Sequence, residues 1–199
     1  MLPSVKVSPT TAFDASFAAV MAGQELDQCT GYVTALSGGP DSTALALLTQ
    51  RYADATGKHH HAVIVDHGLR DSSGDEAERV QTRLRRFGIT SDIIQITEPL
   101  PTAGLQEWAR INRHHVLLSV ARQKKAALLF AHHASDQAET VAMRLLKSSG
   151  LNGLGGIACR RMQHDVVVAR PVLSWMPDQL KVVCHLLECG FEIDPSNQN

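Results

Sequence analysis

The sequence is poor in aromatic residues, with five Phe, two Trp and two Tyr among 199, and it has no apolar run near the roughly 20 residues that a bilayer helix needs. Its first residues, Met1-Leu2-Pro3-Ser4-Val5-Lys6, hold no secretory apolar segment. A cytoplasmic protein without a membrane partner is the expectation. Neither charge sign prevails: 19 Lys and Arg stand against 20 Asp and Glu, for a formal net charge of −1. With no global attraction to a phosphate backbone, any nucleic-acid role must rest on local basic patches or on protein outside this chain. Paired cysteines are missing too. Cys29, Cys159, Cys184 and Cys189 include no C-x-x-C pair, which excludes a zinc ribbon and a thioredoxin-type redox motif and reads as reduced thiols. Without repeats or low-complexity tracts, one globular domain of ordinary size remains.

What is present is an alternation of short apolar runs with longer amphipathic ones. Residues 32–36, 62–65, 93–96, 127–130 and 166–169 read as strands, and residues 42–56, 75–87, 104–124, 135–147 and 177–189 as helices between and after them. A further helix is expected near residues 11–22, within an N-terminal extension of residues 1–24 that precedes a core over 25–190. Strands apolar on both faces and joined by helical crossovers predict a three-layer, doubly wound α/β fold: a mostly parallel five-stranded sheet with helices on both faces. Gly57, Gly88 and Gly190 sit where helix C-caps belong, and the glycine-rich stretch from Ser148 to Gly156 is the clearest loop.

The most informative stretch is Ser37-Gly38-Gly39-Pro40-Asp41-Ser42, between the first strand and an Ala- and Leu-rich helix. Two glycines let a ligand approach the backbone, and the N–H groups at the helix start face an anion. A strand-to-helix turn capped by Asp41 or Ser42 is the plainer alternative. The loop lacks the Lys of G-x-x-x-x-G-K-[ST] and the third glycine of G-x-G-x-x-G, so kinase-like and dinucleotide readings lose weight.

Other residues carry chemistry at helical spacing. Asp136, Glu139 and Thr140 fall at i, i+3 and i+4, on one face of a helix that Ser135 would open; acids in a first turn can also serve the helix dipole alone. Arg110 and Arg113 share a face of the long helix, either as solvated charges or as phosphate-binding forks. His59-His60-His61 cannot form one metal site, because neighbours on a strand alternate faces. Trp108 and Trp175 read as packing residues.

The six-residue loop resembles the S-G-G-x-D-S loop of the N-type ATP pyrophosphatases, the PP-loop superfamily. Further segments are similar to the tRNA(Ile)-lysidine synthetase family. Val65-Asp66-His67-Gly68-Leu69-Arg70 resembles V-D-H-G-L-R, and Ala109-Arg110-Ile111-Asn112-Arg113-His114 resembles A-R-x-x-R-Y with His114 for the tyrosine. His132-His133-Ala134-Ser135-Asp136-Gln137-Ala138-Glu139-Thr140 resembles H-H-x-D-D-Q-x-E-T, with Ser135 in place of the first aspartate. Ser149-Gly150-Leu151-Asn152-Gly153-Leu154, Arg170-Pro171-Val172-Leu173 and Asp194-Pro195-Ser196-Asn197 extend the likeness to the last residue.

The resemblance implies an adenine-nucleotide alpha-hydrolase-like fold and a ligase. In that reaction the wobble cytidine of a tRNA(Ile) with a CAU anticodon is adenylated with ATP, and free L-lysine then displaces AMP to form lysidine. It implies ATP bound by Ser37, Gly38, Gly39, Pro40, Asp41 and Ser42, and Mg²⁺ held by Asp41 and Asp136. Arg113 would stabilise the α-phosphate or hold the anticodon backbone, and His133 would keep the lysine amine able to attack. His67, Arg70, Arg110 and Glu139 would contact tRNA or substrate, helped by the basic clusters Arg79 to Arg86 and Arg110 to Lys125. A homodimer stays open. Residues 191–199 are expected to start a linker to C-terminal domains, and an ATP-binding domain inactive alone on tRNA is one alternative. A tRNA thiolase on the same scaffold is another, though such enzymes commonly use cysteine pairs that this spacing does not supply.

Overall fold

The computed structural model describes residues 9–68, 73–146 and 155–192. Arg70, most of the Ser148 to Gly156 loop and the Asp194-Pro195-Ser196-Asn197 segment lie outside them. The elements run α1 (Pro9–Ala22), β1 (Gly31–Leu36), α2 (Pro40–Thr56), β2 (His59–Asp66), α3 (Ser73–Arg85), β3 (Ser91–Gln95), α4 (Leu105–Gln123), β4 (Ala127–Leu129), α5 (Ala134–Leu146), β5 (Arg160–Gln163), β6 (Val166–Ala169) and α6 (Pro177–Leu186). Among the described residues no helix is long and apolar enough to cross a membrane.

The continuous apolar strands are explained by burial on both faces. Along β1, Tyr32 and Leu36 join a core built with α1, α2, α3 and α6, while Val33 joins a second core under α4. Strands β4 and β6 divide likewise: Leu129 and Ala169 face the first core, Leu128 and Val168 the second. Helix α1 belongs to this packing, since Phe17 and Met21 are almost fully buried and Phe17 lies edge-on to Trp175, 6.5 Å between ring centroids.

The sheet order is β3-β2-β1-β4-β6-β5. β1 pairs in parallel with β2 on one side and β4 on the other. The chain thus winds outward through β2 and β3, then returns to lay β4 on the far side of β1. In doubly wound sheets that reversal opens a crevice at the carboxyl ends of the two strands. Here the Ser37–Ser42 loop leaves β1 and the two histidines leave β4 on that rim.

The sheet has six strands rather than five. β5, Arg160-Arg161-Met162-Gln163, pairs antiparallel with β6 through a turn in which His164 and Asp165 take positive φ of 45° and 64°. Its half-exposed residues, polar apart from Met162, give no apolar run, and an edge strand needs only one paired side. Helix boundaries differ in ways that matter for the site. α2 starts at Pro40, so Gly39 is the N-cap and Asp41 and Ser42 lie in the first turn. α5 starts at Ala134, so Ser135 is not its cap. Gly57 and Gly88 take the left-handed conformation as expected, but after α6 it is Glu188 that does so, not Gly190.

The histidine run behaves as strand alternation requires. His60 is buried, with Thr34 Oγ1 at 2.9 Å and Gln50 Oε1 at 3.0 Å, and burial, then His61, push its pKa down to about 3. His61 meets Asp92 at 2.7 Å from the strand's other face.

Candidate active site

The β1–α2 loop is stitched to itself. Ser37 N–H donates to Ser42 Oγ at 3.1 Å, Ser42 Oγ donates to the Gly39 carbonyl at 3.2 Å, and Thr43 Oγ1 donates to the Gly38 carbonyl at 3.3 Å. From outside, Glu192 N–H donates to the Gly38 carbonyl at 2.9 Å, and Arg83 holds the Glu192 carboxylate at 2.6 Å. One arginine of the expected basic cluster therefore braces the loop. The N-cap position falls on Gly39, which has no side chain to cap with, so Asp41 and Ser42 do not take the capping role that a plain turn would give them. The first-turn N–H groups of α2 carry the partial positive charge of a helix start.

The two glycines differ in what requires them. Gly38 has φ +85°, and a Cβ there would meet Val80 Cγ2 at 2.7 Å. Gly39 lines the cleft with ordinary φ, and its Cβ would meet nothing nearer than Ser37 Oγ at 3.7 Å. Nothing inside the protein asks for that glycine, which fits an approaching ligand. Gly38→Ala is expected to destabilise the fold by at least about 1 kcal/mol from the left-handed backbone alone. Gly39→Ala should melt near the parent but bind nucleotide more weakly; thermal melts and nucleotide titrations check the pair.

Across the crevice, His133 lies between two carboxylates. Its Nε2 is 3.7 Å from Asp41 Oδ2 and its Nδ1 is 3.4 Å from Asp136 Oδ2. Asp136 also accepts the His133 backbone N–H at 2.8 Å, so it closes the start of α5 as an acid at the third helical position does. Asp41 Oδ1 is buried and unpartnered. Burial raises the Asp41 pKa; His133 opposes the rise and Asp136 adds to it. An orphaned carboxylate oxygen, with a second carboxylate across the same imidazole, fits a hard cation completed by phosphate oxygens. No set of three His, Cys, Asp or Glu side chains clusters as a metal cage among the described residues.

Arg113 completes the cleft. It lines the opening together with Ser37, Gly39, Asp41, Ser42, Asp136 and both histidines, over an apolar wall of Val63, Val65, Leu117 and Phe130. The space encloses about 190 Å³. Apolar wall, glycine loop, paired acids and a guanidinium are the surfaces a base, its phosphates and their counter-charges require.

Not every expected residue converges. Arg110 is turned to its own helix surface, where it grips Glu107 at 2.7 and 2.8 Å. Glu139 is exposed on α5 and does not line the cleft. His67 is not among the residues lining the cleft; it lies 6.4 Å from Trp108 between ring centroids, and its buried Nδ1 lacks a partner. Burial and then Arg113 lower its pKa. The sequence places Phe130 in a strand and His132 and Arg170 in segments of the resemblance but points to no role for any of the three. His114, the departure from A-R-x-x-R-Y, stacks on Phe130 with ring centroids 5.6 Å apart and meets Gln163 Oε1 at 2.8 Å.

Residues 9–199 match the family model described as the PP-loop domain. A tRNA(Ile)-lysidine synthase of Methylobacterium nodulans is 42% identical over 168 residues, which cover 84% of this chain and 49% of that protein. One from Bradyrhizobium sp. strain BTAi1 is 40% identical over 168 residues, covering 83% and 47%. The chain spans about half the length of these curated relatives. Among solved structures, the U34-tRNA thiolase NcsA from Methanococcus maripaludis, with its 4Fe-4S cluster, superposes with a TM-score of 0.75 at 18% identity, over 94% of this chain and 67% of that one. The NH3-dependent NAD synthetase of Campylobacter jejuni gives 0.60 at 17% identity, over 92% and 75%. These two show a shared fold.

Proposed function

Since this chain belongs to the PP-loop domain family, we propose that it carries the ATP-using catalytic site of a tRNA(Ile)-lysidine synthase, ligating lysine to C2 of the wobble cytidine in a CAU anticodon. The observation that carries the reading is the convergence at the β1/β4 rim of an uncapped helix start, the Asp41 and Asp136 carboxylates and the Arg113 guanidinium. The relatives' names supply the substrate class.

In the first step the cytidine O2 attacks the α-phosphorus, the bond to the β-phosphate oxygen breaks and pyrophosphate leaves. In the second, the lysine ε-amine attacks C2, the C2–O bond breaks with AMP as leaving group, and the amine sheds its proton. The loop N–H groups and Ser42 hold the departing pyrophosphate, and Arg113 meets the charge that grows on the α-phosphate. Mg²⁺, when bound by Asp41 and Asp136, neutralises phosphate charge. His133, on the cleft wall with Asp136 Oδ2 3.4 Å from its Nδ1, takes the amine proton in this reading.

The thiolase alternative loses ground on the cysteines. Cys184 and Cys189 are buried, Cys29 is half-buried, and Cys159 alone is exposed. The test is direct: incubate the chain, and a version extended by the C-terminal half of the Methylobacterium relative, with ATP, Mg²⁺, labelled lysine and tRNA(Ile) transcript. Label in tRNA with matching AMP is the expected result for the extended version. Absence of transfer by both would overturn lysidine formation.

A further inference from the structure

His132, on the cleft wall, and Arg170, which contacts it, have no part in the reaction as described. Arg170, just after β6, is 6% exposed. Its Nη1 donates to the Ala158 carbonyl at 2.8 Å, its Nε donates to His132 Nδ1 at 3.2 Å, and its guanidinium lies over the Phe130 ring, 5.9 Å from the centroid. Its backbone N–H is tied to the Cys159 carbonyl at 2.8 Å. These anchors hold the guanidinium in one orientation.

A guanidinium has donors and no acceptor. The imidazole nitrogen it meets must therefore accept, which leaves the His132 proton on Nε2. Burial, first, and then the Arg170 charge press the His132 pKa down to about 4; Arg113 of α4 and His133 add to this and Asp136 of α5 opposes it. The ring is neutral at physiological pH and does not exchange protons as a base or acid there. What it offers is one fixed, uncharged donor, on the wall shared with Arg113, Asp136 and the β1–α2 loop.

We propose that Arg170 is a positioning residue that holds His132 in its Nε2–H form, and that His132 gives this hydrogen bond to a phosphate oxygen of the nucleotide in the cleft. The second half rests on the nucleotide-binding reading above; the first half does not. A neutral donor directs the phosphate without adding a charge that would retain pyrophosphate after cleavage.

Two measurements decide it. Nitrogen-15 NMR of the histidine rings should show His132 Nδ1 unprotonated from about pH 5.5 to 8, whereas in Arg170→Gln, with burial still holding the pKa below the ordinary value, the ring should titrate at a higher pH than in the parent and show both tautomers. A proton on Nδ1 of the parent, or an ordinary titration there, would overturn the positioning role. For the donor, His132→Gln places an amide N–H near the Nε2 position and should bind a non-hydrolysable ATP analogue within about threefold of the parent, while the shorter His132→Asn should bind roughly tenfold or more weakly. Equal affinities for Gln and Asn would sink the donor, and this comparison holds even if Arg170→Gln does not fold. Failure of the parent to bind the analogue would overturn the nucleotide reading and the donor half together, leaving the tautomer spectrum to decide the rest.

Discussion

Asp41→Asn is expected to lose Mg²⁺-dependent ATP binding by at least about a hundredfold while melting no lower than the parent at neutral pH. Function and stability pull on this residue in opposite directions. Its Oδ1 is buried without a partner, and burial raises the pKa above the ordinary 3.8. A raised folded-state pKa means that the protonated carboxyl favours the fold. That contribution is complete below the unfolded value and is lost as pH rises through the folded one. At neutral pH the ionised Asp41 therefore weakens the chain, and the Asn amide, isosteric and neutral, removes the penalty. The difference in melting temperature should narrow as pH falls toward 3.8. Calorimetric melts from neutral to acid pH, paired with titration of an ATP analogue with and without Mg²⁺, read both halves. Nucleotide binding retained with its Mg²⁺ dependence intact would remove Asp41 from the metal assignment. A melting temperature well below the parent's would show instead that the carboxylate supports the fold.

That tension marks what the sequence could and could not disclose. The parallel strands were legible because Val33, Leu128 and Val168 are apolar in runs without alternation, as burial on both faces demands. β5 was hidden because Arg160 to Gln163 pair on one side only and hold a single apolar residue, the exposed Met162, and because His164 and Asp165 make the turn where Asn-Gly would have signalled it. At the site, the loop was legible since its six residues are contiguous. Its capping arrangement was not, as it depended on Pro40 drawing the helix start one residue behind Asp41. The Arg170–His132 contact joins residues 38 apart in sequence and leaves no local pattern at all. Helical spacing also overstated a likeness: Arg110 and Arg113 share a face by periodicity, but Glu107 takes the first to the surface.

That last division makes Arg113 the sharper functional test. In the proposed reaction, negative charge grows on the α-phosphate oxygens as the cytidine O2 attacks, so a guanidinium already in the cleft contributes most at the transition state. Burial and then Arg110 lower the Arg113 pKa, yet an arginine stays cationic at neutral pH. Arg113→Ala is accordingly expected to slow tRNA-dependent exchange of pyrophosphate into ATP on the order of 10²- to 10³-fold, with a much smaller change in ATP affinity. Arg113→Lys should recover only part of the rate, since an ammonium is a point charge and cannot bridge two phosphate oxygens as a planar fork does. Arg110→Ala, which removes an exposed pair with Glu107, should keep the exchange rate within about threefold of the parent. Full rescue by Lys would mean that positive charge alone suffices. Equal losses at Arg110 and Arg113 would mean that both arginines grip tRNA and that the cleft position of Arg113 has no part in the chemistry.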